Sequence, residues 1–501
     1  MAITAGGSLN AVAAPQQQTL NSNYIDFTVA AGSWVQQYLP DLMEKEAEVF
    51  GNRTVSGFLN QVGAEEAMQA DQVIWSEQGR LHLSYIGTVD NNGDGGAGPT
   101  TGSFTVVSDI DGNIAGDGFV VNDHGIRVND ICILASAGLT VRARVIETPA
   151  SSATVVLESY EAATLGTLSE TASAVRLLVV GSEYQKGDSY YDATGAVATD
   201  RHQANTPVFK QYDNKPMIMK DYYEVSGSDT SQVGWVEVAG EDGQNGYMWY
   251  LKAAGDTRAR FTDYMEMALL EAEKTAATSI VGTTQGGSLD TGAAGTEGLF
   301  AAIESRGNTT SGITGVNAAT DLAEFDAILA EFDSQGAIEE NMMFVNRATS
   351  LAIDDMLASM NSYGAGGTSY GVFSNDEDMA LNLGFSGFRR GSYDFYKSDW
   401  KYLNDKSTRG GINAVAGSEA IRGAIVPAGV SSVYDQQLGR NLKRPFLHVR
   451  YRASATDNRR FKTCTTGSVG AATSALDAMQ IHMLSERCLV TQGANNFMLL
   501  K

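Results

Sequence analysis

The stretch GYMWYLKAAGDTRARFTDYMEMALLEAEKTAAT, residues 246–278, constrains the fold most. Within it Leu251, Ala254, Arg258, Phe261, Met265, Leu269 and Ala272 recur every three or four residues, the spacing of one face of an α-helix. At a rise of about 1.5 Å per residue, such a helix is about 45 Å long. That is long for a globular domain. It suits a rigid backbone on which other pieces hang, and every other segment has to be placed around it.

Before this helix the texture is β. Residues 1 to 24 are small and polar with no period, and read as an extended arm. An alternating run around Trp75 to Tyr85 reads as a strand, and a Gly-rich stretch follows it. FTVV, GFVV, DICILA, TVRARVIET, ATVVLESY and AVRLLVV are then short β-branched runs between turn signals. Val141, Ala143 and Val145 alternate with Arg142, Arg144 and Ile146, a period of two. A small all-β barrel or sandwich over 100–182 is expected. A long polar, aromatic segment comes next, read as a protruding two-stranded loop that returns through PMIMKDYYEV.

After the helix an α/β texture begins. TDLAEFDAILAEFDSQG reads as a helix with Asp321 and Glu324 in a capping pattern and Gly336 as the stop. ENMMFVN reads as a strand, RATSLAIDDMLASM as a helix, and the tail alternates again in RPFLHVRYRA and AMQIHMLSERCLVTQGANNFMLL.

Composition narrows the function. A chain of 501 residues, 43% hydrophobic, holds roughly two to four folded units with real cores. A net charge of -24 argues against nucleic acid as the primary ligand. One run is basic, His448 to Thr463, with Arg450, Arg452, Arg459, Arg460 and Lys462; it reads as an exposed strand pair or a salt-bridged interface. Cys132, Cys464 and Cys488 give no disulfide framework and no zinc spacing, which fits a reducing compartment. No signal peptide is apparent, and no apolar run approaches the ~20 residues of a membrane span.

No motif carries catalysis. DNNGDG, residues 90–95, matches the first half of a calcium loop through Asp90, Asn92, Asp94 and Gly95, but Thr101 stands where the bidentate Glu belongs. It reads as the lead-in linker of the β block, and no metal is expected. GFSG is one residue short of a nucleophile elbow, no P-loop occurs, and His82, His124, His202, His448 and His482 are too far apart for a helical zinc pair. No catalytic residue, metal or cofactor is expected, and the chain is not read as an enzyme.

The order of pieces resembles the HK97-like major capsid proteins of tailed bacteriophages: polar arm, protruding β loop, long helix, α/β domain, returning strands. ANTPVFKQYDNKPMIMKDYYEVSGSD followed by WYLKAAGDTRARFTDYMEMALL is similar to that family's E-loop return and spine helix, and ENMMFVNRATSLAIDDML to its A-domain strand and helix. GFRRGSYDFYKSDWKYLND, SVYDQQLGRNLKRPFLHVRYRA and LSERCLVTQGANNFMLL are similar to its carboxy-terminal segments. The resemblance implies an α+β, HK97-like fold with N-arm and first helices at 1–60 and an E-loop region at 61–99 and 183–230. It implies an all-β insertion domain at 100–182, a P-domain at 231–290 and 440–480 with its spine helix at 246–278, an A-domain at 291–439, and C-terminal strands at 481–501.

The function so implied is self-assembly into an icosahedral head enclosing double-stranded DNA, in the virion after assembly in the host bacterial cytoplasm. Its partners would be copies of itself in hexameric and pentameric capsomers, with decoration proteins, a separate scaffold, a portal and non-specifically held DNA, and no membrane. Phe209, Lys210, Gln211, Tyr212 and Lys215 of the E-loop are the expected inter-subunit contacts. Some members crosslink subunits through lysine, but no motif marks Lys186, Lys210 or Lys215 as reactive. Two other readings stay open: another virion or surface-array protein such as a tail tube or adhesin, and a secreted glycan-active enzyme.

Overall fold

The computed structural model describes most of residues 55–90, 101–186, 210–275, 295–360 and 387–501. The polar arm, Phe209, the Gly-rich stretch 282–297 up to Gly295, and DNNGDG beyond Asp90 lie outside the described residues. The rest is mixed strand and helix, with more strand, in line with the α+β expectation. It divides into two compact units, Ser76–Gln211 and the remainder.

The chain enters through strands β1 (Ala64–Met68) and β2 (Val73–Glu77) and then builds the smaller unit. Strands β3 (Ser84–Asp90), β4 (Thr101–Asp109), β5 (Asp130–Ser136), β6 (Leu139–Glu147), β7 (Thr154–Ser159) and β8 (Val175–Ser182) close a barrel in the order β3-β4-β7-β6-β5-β8. All pairings are antiparallel. The expected alternation holds in β6: Val141, Ala143 and Val145 point into the barrel core with Phe104, Leu134, Leu157 and Leu177. Outside, Arg142 and Arg144 meet Glu161 and Glu158 at 3.7 and 3.8 Å. Gly87 sits at a register shift between β3 and β4, and a Cβ there would lie 2.1 Å from the Thr105 carbonyl oxygen. Only glycine fits this bulge.

The barrel begins at β3, not at residue 100. Asp90 pairs with Ser103, so DNNGDG joins two neighbouring strands of the barrel and is no linker leading into it. The texture change misled because β3 carries Gly87 and Thr88 between its apolar residues, and so looks weaker than the strands that follow.

The larger unit resumes with β9 (Lys210–Asn214), which pairs with β2 as a two-stranded ribbon, and β10 (Met217–Ser226). A one-turn helix α1 (Gly227–Ser231) and a short hairpin, β11 (Glu237–Ala239) with β12 (Asn245–Tyr247), lead into α2 (Met248–Glu271). This is the long helix, but its 24 residues span about 36 Å, not 45. Tyr247 is taken by β12, and past Glu271 the chain turns away, with Gly298 N–H bonding Ala272 O at 2.7 Å and Lys274 bridging Gly295. The first end is set by the β11–β12 hairpin and the second by Gly298 further along the chain, pairings that helical periodicity does not report.

The remaining elements are α3 (Leu299–Arg306), β13 (Asn308–Thr310), α4 (Ala318–Gln335), β14 (Glu340–Val345), α5 (Arg347–Met360), β15 (Gly387–Arg390), β16 (Tyr393–Asp399), α6 (Lys401–Asn404), α7 (Arg409–Asn413) and β17 (Gly423–Pro427). Then come the hairpin β18 (Val430–Asp435) with β19 (Arg440–Pro445), β20 (Leu447–Arg452), β21 (Lys462–Gly467), β22 (Ala478–Thr491) and β23 (Met498–Leu500). Gly336 ends α4 in the left-handed region at φ 74°, as expected. The N-cap is Asn317, which accepts from Thr320 N–H, while Asp321 and Glu324 instead bind the N–H groups of Gly315 and Thr314.

Two sheets organise this unit. One runs β1-β20-β22-β10, with β21 also on β22, and combines strands from both ends of the chain. Helix α2 covers one face of it, with Ala253 against Tyr223 and Val225, and Phe261 and Met265 against Met483. The other runs β13-β23-β17-β14-β16-β15 and is buried on both sides. Met343, Val345, Ile425 and Met498 face helices α4 and α5, while Phe344, Ala424, Val426 and Leu499 face the opposite core. That second core also holds Leu447, Val449 and Leu489 of the first sheet, so the two sheets share one hydrophobic interior. The segments expected at 231–290, 291–439, 440–480 and 481–501 therefore fold as one unit.

Candidate assembly site

The foot of the β2–β9 ribbon is fixed by one buried side chain. Asn214 closes β9 and has no exposed surface. Its Nδ2 donates to Glu297 O at 3.0 Å and Leu489 O at 2.7 Å. Its Oδ1 accepts from Lys215 N–H at 2.9 Å, Glu297 N–H at 2.9 Å and the Thr296 hydroxyl at 3.2 Å. The turn into β10 is thereby tied to β22 and to the start of α3. Beside it Asp213 accepts from Gln72 Nε2 at 2.8 Å and sits 3.6 Å from Lys274 Nζ.

One residue further out, aromatic packing takes over. The rings of Trp75 and Tyr212 lie 6.2 Å apart across the ribbon. The Arg306 guanidinium lies 4.5 Å from the Tyr212 ring centre and 5.7 Å from that of Trp75, and donates to Glu297 Oε2 at 2.7 Å. A planar cation held by a carboxylate over two rings restrains the ribbon where it leaves the sheet.

The structure thus distributes the expected contact residues. Lys210 opens β9, Gln211 and Lys215 are exposed, and Tyr212 is half-buried beneath Arg306. Asn214, Trp75, Arg306 and Glu297, which hold them, were not singled out in the sequence. The return strand PMIMKDYYEV was legible, but the distant partners of Asn214 were not.

A second junction lies on α2. Val55 N–H donates to Asp263 Oδ1 at 3.2 Å, Gly57 N–H to Glu266 Oε2 at 2.7 Å, and Phe58 and Leu59 N–H to Glu266 Oε1 at 2.6 and 3.2 Å. The Phe58 ring stacks on Trp400 at 4.5 Å and meets Phe344 edge-on at 4.5 Å. Glu266 therefore satisfies the free N–H groups of a chain segment about 208 residues away. Burial pushes its carboxyl above the ordinary value, and the three N–H donors offset this only partly.

The basic run is neutralised within its own unit. Arg450 meets Glu66 at 2.7 Å, Arg459 meets Glu486 at 2.8 Å and Lys462 meets Asp457 at 2.8 Å. Arg452 pairs with Asp71, and Arg460 pairs with Glu65 beside Arg487. The salt-bridged reading of that run holds. Among the described residues no group of three or more His, Cys, Asp or Glu side chains could hold a metal, and no helix is long and apolar enough to cross a membrane.

No family model and no curated protein matches the chain. Among solved structures it is similar to one from Microbacterium phage Oxtober96, at 8% identity over 93% of this chain and 97% of that one, with a TM-score of 0.38. It is similar to the capsid of a native GTA particle, at 9% identity over 93% and 95% with a TM-score of 0.36. It is also similar to the capsid structure of the cyanophage P-SCSP1u, at 8% identity over 63% and 80% with a TM-score of 0.32. Capsid structures, of a cyanophage and of a GTA particle, are thus among the solved structures that this chain is similar to.

Proposed function

We propose that the chain is a major capsid protein with an HK97-like layout, which self-assembles into an icosahedral head around viral double-stranded DNA. One observation carries this reading: a 24-residue helix lies on a sheet drawn from both ends of the chain, and a two-stranded ribbon is anchored at that sheet's edge by Asn214. A rigid frame with a restrained projection is what repeating contacts between identical copies require. The distant capsid likenesses agree with it and do not carry it.

In this reading the β2–β9 ribbon belongs to the E-loop region, the barrel from β3 to β8 is an insertion domain, the sheet with α2 is the P-domain, and the doubly buried sheet is the A-domain. Copies join as hexameric and pentameric capsomers, with scaffold, decoration and portal proteins and non-specifically held DNA as further partners. The virion is the final location, after assembly in the host cytoplasm. Phe209, Lys210, Gln211, Tyr212 and Lys215 make inter-subunit contacts; the exposure of Gln211 and Lys215 supports this. Electron microscopy of the expressed full chain tests it. Closed shells or capsomers are expected, tubes or sheets would favour a different virion or array protein, and a monomer that cleaves polysaccharide would overturn both.

A further inference from the structure

Strand β10, Met217–Ser226, is the last strand of its sheet: among the described residues it pairs with β22 alone, and its other edge meets no strand. An open edge of ten residues is a template for another strand. Met219, Tyr223 and Val225 pack towards α2, so Ile218, Lys220, Tyr222 and Glu224 share the opposite face. Ile218 and Tyr222 are 53% and 58% exposed there. The helix leaves this side open too. Arg260 of α2 reaches Asp221 at 3.8 Å, and Tyr264, one turn further along that flank, is 49% exposed.

The sequence of the strand says which partner fits. When an antiparallel strand meets its own copy, outward-pointing backbone groups have to meet outward-pointing ones, so even-numbered residues face even and odd face odd. Near-complete overlap then leaves two registers. One sets Asp221 opposite Asp221, like charges face to face, which is unfavourable. The other sets Tyr222 opposite Tyr222. Lys220 then faces Glu224, and Met219 faces Val225, twice each by symmetry. MIMKDYYEVS is thus complementary to itself in charge and in apolar character in a single register. We propose that two copies of the chain pair edge to edge through β10, antiparallel about a two-fold axis at Tyr222, with Lys220 of each opposite Glu224 of the other. The two sheets become one, with both α2 helices on the same face, and the contact closes at two copies. The pairing goes beyond the assembly reading and needs no particular shell.

The test uses the full chain with Cys464→Ser, which removes the exposed thiol. Tyr222→Cys and Lys220→Cys are compared under oxidised glutathione. At the two-fold axis the Cβ atoms of the two copies of residue 222 lie about 5 Å apart, whereas those of residue 220 are offset along the strands by about 13 Å. Links between two chains are therefore expected about tenfold faster at Tyr222→Cys than at Lys220→Cys. Adding Lys220→Glu to Tyr222→Cys is expected to slow linking about fivefold, and adding Glu224→Lys as well is expected to restore it. Equal rates at positions 222 and 220 overturn the proposal, as does a double reversal that links no faster than Lys220→Glu alone. A faster link at Asp221→Cys than at Tyr222→Cys overturns the register. Shells seen by electron microscopy without the Tyr222→Cys link overturn the pairing and leave the assembly reading standing.

Discussion

Asn214 makes five hydrogen bonds with one amide, and its side chain is itself fully buried. Its replacement leaves the carbonyls of Glu297 and Leu489 without these donors. Asn214→Ala is expected to lower stability by about 2–3 kcal/mol in urea unfolding. Asn214→Asp keeps the shape but sets an anionic oxygen against the Leu489 carbonyl, and is expected to cost at least as much. Glu266 gives a pH signature of known sign. Its pKa in the folded chain is raised by burial, so its contribution to stability is full below the ordinary carboxyl value and is lost as pH rises through the raised one. Asp130 in the barrel, also raised by burial, has the same sign. Urea midpoints at about pH 5 and pH 7 should therefore fall less steeply with pH in Glu266→Gln than in the natural chain. An unchanged slope would show that Glu266 is not the group responsible.

At the scale of elements, the ribbon and the long helix follow different rules. A two-stranded ribbon is marginal by itself in water, so β2–β9 depends on what grips its base. Arg306 over Tyr212 and Trp75 is that grip. Arg306→Ala is expected to speed amide exchange in β2 and β9 about tenfold, with Arg306→Lys recovering only part, because a lysine cannot lie flat on two rings. Exchange measured by mass spectrometry on peptides from 73–77 and 210–214 decides this. Helix α2 is the opposite case. Its buried face was legible, since Phe261, Met265 and Leu269 are buried where their spacing put them. Its ends were not, because Tyr247 and Ala272 are claimed by a strand and by Gly298.

For the whole molecule, charge and core set the behaviour. The chain carries a net charge of -24, and its one basic run is already neutralised by Glu65, Glu66, Asp71, Asp457 and Glu486. Copies therefore repel at long range. If copies assemble as proposed, light scattering should show slower association in about 0.02 M salt than in about 0.2 M salt, where the Debye length falls below about 10 Å. The reverse order would mean that the contacts are mainly between opposite charges. Within each copy, the shared core of Phe344, Leu447, Leu489 and Leu499 makes the two sheets unfold together, although their strands are scattered along the sequence.

Local periodicity determined a good deal on its own. It marked the long helix, the alternating barrel strands and the stop at Gly336, because each is a matter of neighbours within a few residues. It could not mark where the barrel begins. β3 is recognisable as a strand of the barrel only through its pairing with β4 and β8. Nor could it find the residues that hold the candidate site together. Asn214 answers to Leu489, Tyr212 to Arg306, and Phe58 to Glu266, pairs between about 90 and 280 residues apart. Hydrogen bonds and ring contacts act over a few ångströms of space whatever the separation along the chain, so only the tertiary structure could choose those partners.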